Sequence, residues 1–320
     1  MKEVRVGILG TARIARRLVG QMQAVPGFSV KAVASRMPQR AAWYAEQYGI
    51  ERACVGYDEI LESSEIDAVY IPLPPALHAV WAQKAAHHGK HVLCEKPLAT
   101  TLIEAQHMAA ACEASGVCWL DATAWLHHPR TSAMREKVVD GALGDLRHLS
   151  VSVTFFEPFQ ENDHRLDLAL GGGCLLDLGW YCASAIVWAE HPAICWTVDG
   201  YQVDGCWRRV VAQGSGAAGQ TVHLECAYDS ASRKQFELAG TERVLNCDDF
   251  TRPWQESEGS FRLRDRAGTV SHSSHVGHQE RLLLQHWLEG IRGQLDLNSY
   301  QAAALRTQLL VEQLQAALAT

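Results

Sequence analysis

From Val4 to about Leu120, short apolar runs alternate with stretches in which apolar residues recur every third or fourth position. The first pattern suits buried strands and the second amphipathic helices, and their regular alternation marks βαβ units in a parallel sheet. The predicted strands are Val4–Leu9, Phe28–Ala34, Asp67–Ile71, His91–Cys94 and Val117–Leu120. The helices between them are Ile14–Ala24, Pro38–Tyr48, Ala76–His88 and Leu102–Ser115. Pro38 stands at a helix start, where its missing N–H costs nothing, and Gly89 stands just past a helix end.

After Ala122 the pattern changes to longer β-branched segments with polar alternation: His148–Phe155, Val222–Tyr228, Lys234–Ala239, Arg243–Asp248 and Ser260–Arg264. Short turn-like links join most of them, which favours a largely antiparallel sheet. The run Ala212-Gln213-Gly214-Ser215-Gly216-Ala217-Ala218-Gly219 reads as a flexible hairpin connection, and helix-period sequence returns at Gln279–Gly290 and Ser299–Leu318. The predicted fold class is α/β. A Rossmann-type domain with a parallel sheet spans 1–122, and an α+β domain with an open, largely antiparallel sheet spans 123–320, serving substrate binding and oligomerisation.

Length supports this division, since 320 residues exceed the roughly 250–300 at which a single core stops growing. The net charge of −7 provides no basic field for nucleic acid. No apolar run approaches the roughly 20 residues that span a bilayer, and Met1-Lys2-Glu3-Val4-Arg5 carries no leader pattern, so a cytoplasmic protein without membrane attachment is expected. Ten cysteines lack any C-x-x-C pair and read as reduced, mostly buried thiols. Ten tryptophans suggest that some line a pocket or a subunit contact, and a homo-oligomer is expected.

The first strand runs into Gly10-Thr11-Ala12-Arg13-Ile14-Ala15, a relaxed form of the dinucleotide fingerprint in which Ala12 replaces the middle glycine. Gly10 allows the tight turn, and free amides at the helix start can bind a pyrophosphate. Where an acidic residue would hold the ribose hydroxyls of NAD, the chain has Ser35-Arg36. A guanidinium can pair with a 2′-phosphate, so NADP is expected in preference to NAD. A lysine at the carboxyl end of a parallel strand points to where such sheets bind ligands. Lys96 in Glu95-Lys96-Pro97 holds that place, where its ammonium can position a carbinol and stabilise developing alkoxide charge. Glu95 is expected to orient Lys96 or the cofactor.

Two stretches, Tyr70-Ile71-Pro72-Leu73-Pro74-Pro75-Ala76-Leu77-His78 and Gly89-Lys90-His91-Val92-Leu93-Cys94-Glu95-Lys96-Pro97-Leu98, resemble the glucose-fructose oxidoreductase and inositol dehydrogenase (Gfo/Idh/MocA) family. Gly171-Gly172-Gly173-Cys174-Leu175-Leu176-Asp177-Leu178-Gly179-Trp180-Tyr181 resembles that family's second signature, and the likeness is nearest to its dihydrodiol and xylose dehydrogenase branch. The resemblance implies hydride transfer between a nicotinamide and a carbinol or carbonyl of a sugar, polyol or diol. It implies cofactor contacts at Gly10, Thr11, Ala12, Arg13, Ile14, Ser35, Arg36, Pro72, Leu73, Pro74, His78, Glu95 and Lys96, and a cis Lys96-Pro97 bond. It also assigns Tyr181 as general acid/base and Asp177 as its acidic companion.

Asp177 and Tyr181 are four residues apart and would share one face of a helix begun by the glycine triplet. A phenol with a reference pKa near 10 is a poor base, but a nearby ammonium favours phenolate, so Lys96 and Tyr181 are complementary. Trp125, His128 and Arg130 are expected to cover the nicotinamide, and Asn162, His164 and Arg165 to bind substrate hydroxyls. His127-His128 diverge on any regular element, and the serines around His272, His275 and His278 predict a loop, so no metal is expected. Three alternatives stay open: a ketoreductase of nucleotide-linked sugars, a redox-neutral enzyme recycling held cofactor, and a cofactor-binding regulator without turnover.

Overall fold

The computed structural model describes residues 3–191, 195–255 and 258–318. A six-stranded parallel sheet forms from β1 (Val4–Leu9), β2 (Phe28–Ser35), β3 (Arg52–Val55), β4 (Ala68–Ile71), β5 (His91–Cys94) and β6 (Trp119–Asp121), in the order β3-β2-β1-β4-β5-β6. Helices α1 (Ala15–Ala24), α2 (Pro38–Tyr48), α3 (Asp58–Glu62), α4 (Pro75–His87) and α5 (Leu102–Ala114) connect the strands. The order reverses between β1 and β4, which is the topological switch point where open α/β sheets bind ligands. β4 is buried at all four positions, as expected of a strand covered on both faces. Thr101 starts α5 with a capping box shared with Glu104.

The second sheet has eight strands: β7 (Leu146–Phe156), β8 (Cys195–Val203), β9 (Cys206–Ser215), β10 (Thr221–Ala227), β11 (Asp229–Gly240), β12 (Arg243–Cys247), β13 (Glu258–Asp265) and β14 (Val270–Val276). Their order is β14-β13-β12-β11-β7-β10-β9-β8, antiparallel except for the β7–β10 pair. Helices α6 (Pro129–Val139), α7 (Cys174–Asp177) and α8 (Gly179–Ala189) belong with it, and the chain ends in α9 (Gln279–Ile291) and α10 (Asn298–Leu318). The glycine-rich run is the β9–β10 turn, as read from sequence, although Ala212–Ser215 extend β9.

Two compact units result: Met1–Thr123 with Glu280–Leu305, and Ala124–Gln279 with Arg306–Thr320. A single cut after residue 122 therefore separates the two sheets but misassigns most of α9 and the start of α10, which return to the first unit. Trp287 of α9 is fully buried there, stacked on Phe28 with ring centroids 5.4 Å apart. No single helix among the described residues is long and apolar enough to cross a membrane. All ten cysteines are free thiols, and eight of them are buried.

The expected loop around the late histidines is instead strand β14, where His272 and His275 point to opposite faces. His275 stacks on Phe261 of β13 at 5.8 Å, and this packing with seven ladder pairs outweighs the turn preference of the serines. Among the described residues no cluster of three or more His, Cys, Asp or Glu side chains could hold a metal ion.

Candidate active site

In the first unit the dinucleotide turn is built as its residues dictate. Gly10 has φ of +122°, and a Cβ there would come within 3.0 Å of Leu73 Cδ2 and 3.4 Å of the Pro72 carbonyl oxygen. Only glycine fits that backbone and that approach. Thr11 and Ala12 are half-buried, Arg13 and Ile14 are exposed, and no side chain caps the amino end of α1. Uncapped amides with a helix dipole behind them suit a pyrophosphate. At the end of β2 the Ser35 hydroxyl accepts from the Met37 amide at 3.2 Å, and Arg36 projects into solvent. The donor set fits a dinucleotide whose adenosine end carries a phosphate.

The Glu95-Lys96-Pro97 turn follows β5, between the ends of β4 and β6. The Lys96-Pro97 bond is cis. Glu95 is buried, and its Oε1 accepts from the Tyr70 hydroxyl at 2.6 Å while its Oε2 accepts from the Lys96 amide at 3.2 Å. Burial pushes the Glu95 carboxyl above the usual range, and the Tyr70 bond and the Lys96 charge pull it back. Burial and the neighbouring Glu95 hold the Tyr70 phenol well above 10. One strand over, Asp121 of β6 is buried, pairs in register with Cys94, and accepts from the Thr123 hydroxyl. Burial raises it to about 6. Lys96 itself is half-buried.

Tyr70, Asp121 and Thr123 escaped the sequence reading. Their signal was a polar group inside an otherwise apolar strand end, which has no periodicity of its own. His78, expected to touch the cofactor, is fully buried with both ring nitrogens on backbone carbonyls.

In the second unit, Gly171 and Gly173 have φ of +85° and +109°, and a Cβ on Gly172 would come within 2.8 Å of the Asp167 carbonyl oxygen. All three glycines are required by the backbone they build. Asp177 and Tyr181 do not share one helix. The chain breaks at Leu178, and the segments Leu168–Asp177 and Gly179–Ala189 meet at 51°. Asp177 ends α7, and Tyr181 lies half-buried in the first turn of α8. The Tyr228 hydroxyl donates to Asp177 Oδ2 at 3.0 Å, a contact no sequence spacing announced. Burial and Asp177 hold the Tyr228 phenol well above its ordinary value.

Phe155, Phe159 and Tyr228 pack edge-to-face and tilted, and the Arg165 guanidinium lies 4.9 Å from the Phe159 ring centre. Arg165 also pairs with Asp163 at 3.1 Å, His164 is part-exposed beside it, and Asn162 is exposed. Arg165, Tyr228 and Asp177 thus form one neighbourhood.

The three residues expected to cover the nicotinamide, Trp125, His128 and Arg130, are all buried. Trp125 is buried against Trp188 and Phe250, and its indole N–H donates to the Ser184 hydroxyl, which donates to the Tyr181 carbonyl. Its role is to brace α8 at Tyr181. His128 caps α6, and Arg130 is fully buried, bonded to Asp249 and the Phe250 carbonyl.

Residues 4–121 match the model of an oxidoreductase family with an NAD-binding Rossmann fold, and residues 131–246 match a Gfo/Idh/MocA C-terminal domain. The chain is 34% identical over 285 residues, 85% of its length and 82% of the relative's, to a dTDP-3,4-didehydro-2,6-dideoxy-alpha-D-glucose 3-reductase of Saccharopolyspora spinosa. It is also 34% identical over 247 residues, 76% of its length and 75% of the relative's, to a D-xylose 1-dehydrogenase (NADP(+)) of Haloferax volcanii. A 3-ketoreductase from Actinomadura kijaniata, solved with NADP and TDP-benzene, superposes with a TM-score of 0.91 at 26% identity, covering 99% of this chain and 98% of that one. The same reductase has been solved with a tyrosine replaced by phenylalanine and with a lysine replaced by alanine. The chain is an NAD(P)-dependent oxidoreductase acting on CH–OH and C=O groups, and it belongs to the Gfo/Idh/MocA family.

Proposed function

We propose that this protein uses NADP to interconvert a sugar carbinol and its ketone or lactone, with Lys96 positioning the reacting oxygen and Tyr181 carrying the proton. The observation that carries this reading is the Lys96 turn at the carboxyl end of β5, one strand beyond the switch point, seated on the buried Glu95 and Tyr70. When bound, the nicotinamide supplies the hydride acceptor or donor. In oxidation Tyr181 removes the hydroxyl proton as the C–H hydride leaves, and in reduction it returns a proton to the new alkoxide. Lys96 hydrogen-bonds that oxygen in both directions and favours the phenolate form of Tyr181. Asp177 orients the substrate from the segment that Tyr228 holds. Ser35, Arg36 and the absence of an acid at the end of β2 favour NADP over NAD, and the D-xylose 1-dehydrogenase relative is named as an NADP(+) enzyme.

A nucleotide-linked 3-keto sugar is the second reading for the substrate, favoured by the two 3-reductases above. Substitution of a tyrosine and a lysine in the Actinomadura enzyme matches the two residue types proposed here. The exposed edge strands β8 and β14 support assembly through the second sheet, and ten unpaired cysteines suit the reducing cytoplasm. A screen of aldoses, polyols, diols and dTDP-linked keto sugars, followed at the NADPH absorbance band, tests the function. Lys96→Ala is expected to lower turnover of the best substrate by at least about a hundredfold. Wild-type turnover in that variant would refute the mechanism.

A further inference from the structure

His78 occupies the first turn of α4, fully buried. Its Nδ1 lies 2.7 Å from the Pro97 carbonyl oxygen and its Nε2 lies 2.6 Å from the Leu73 carbonyl oxygen. Carbonyls only accept, so a neutral imidazole can donate to one of them, and an imidazolium to both. Both separations are at or below the length of charge-assisted hydrogen bonds, roughly 2.7–2.9 Å. The two carbonyls belong to different segments. Leu73 is in the loop that packs against Gly10, and Pro97 closes the turn that carries Lys96.

We propose that His78 is a positioning residue that fixes the Lys96 turn relative to the loop behind the dinucleotide turn. The inference rests on Lys96 acting as described above. Each ring nitrogen serves one segment, so the Nε2 bond governs cofactor binding and the Nδ1 bond governs alignment of Lys96. Water does not reach the ring to replace either bond, and a displacement of about 1 Å at a reacting group costs about a hundredfold in rate.

Two substitutions separate the bonds. His78→Asn places an amide nitrogen near the Nδ1 position and keeps the Pro97 contact, whereas His78→Gln reaches the Nε2 position and keeps the Leu73 contact. Calorimetric titration with NADP and turnover of the best screened substrate are measured for each. His78→Gln is expected to bind NADP within about twofold of wild type and to lose about tenfold or more in kcat. His78→Asn is expected to bind NADP about tenfold more weakly and to keep kcat within about threefold. Wild-type values in both variants, or equal losses in both, overturn the proposal. Should neither variant fold, a long-range 1H–15N spectrum of wild-type enzyme with NADP decides: two protonated ring nitrogens support the clamp, and one unprotonated nitrogen overturns it. Lys96→Ala measured alongside distinguishes the failures. Full turnover there removes the catalytic reading itself, and loss there with wild-type His78 variants removes the clamp alone.

Discussion

Asp121 shows what a single buried carboxyl contributes at the end of the parallel sheet. Its carboxyl is raised from 3.8 to about 6 by burial, which makes its ionised form about 3 kcal/mol less favourable in the fold than in the unfolded chain. Below pH 3.8 both states are protonated and no penalty exists. As pH rises the unfolded chain ionises first, so stability falls between about pH 4 and 6 and the full penalty persists above. Asp121→Asn should therefore stabilise the first unit by up to about 3 kcal/mol at pH 8 and hardly at pH 3.5, as measured by urea unfolding at the two values. A uniform gain at both pH values would contradict this account. The positive-φ turn at Gly10 and the place of Lys96 at the end of β5 were legible in the sequence because each sits in a local motif. Tyr70, Asp121 and Tyr228 were not, because the partners of the two tyrosines stand 25 and 51 residues away and Asp121 meets Cys94 only through the β5–β6 pairing.

At the scale of elements, helix α6 depends on one neutral imidazole. His128 Nδ1 accepts from the Arg130 amide at 3.0 Å, and its Nε2–H donates to the Gly277 carbonyl at 3.1 Å, which selects one tautomer. Burial and the Arg130 charge lower its pKa to about 4. With the folded value below the unfolded 6.5, the unfolded chain takes the proton first as pH falls, so stability is lost between about pH 6.5 and 4. His128→Asn, whose side-chain oxygen keeps the cap, should flatten that slope in melting temperatures taken across the range. A slope unchanged in the variant would place the acid sensitivity elsewhere. The strand and helix limits of the first sheet followed the apolar pattern to within a residue or two. Strand β3 was missed because only Cys54 of its four residues is buried, leaving no period to read. The break at Leu178 was missed because it comes from packing: a Cβ on Gly179 would stand 2.6 Å from Leu175 Cδ1, and the spacing of Asp177 and Tyr181 carries no trace of that.

For the whole molecule, the sequence showed two sheets but not how the last helices divide. The apolar face of α9 looks the same whichever sheet it covers, and only the fit of Trp287 on Phe28 decides. Residues 1–123 expressed alone should thus melt with low cooperativity, and Trp287→Ala in the full chain should cost the first unit about 3–5 kcal/mol in denaturant unfolding. A loss below about 1 kcal/mol would mean that α9 is dispensable to that core. The second sheet carries its own consequence. β7 enters the chain first yet ends in the middle, with β8, β9 and β10 forming a local meander on one side and β11 to β14 another on the other. Each meander can assemble from neighbouring segments in microseconds, but the seam along β7 closes loops of some tens of residues on both sides. Folding of this unit is therefore paced by the docking of two ready-made ribbons onto a waiting strand. A chain that has emerged only through β7 therefore leaves both edges of that strand unpaired until the two ribbons arrive.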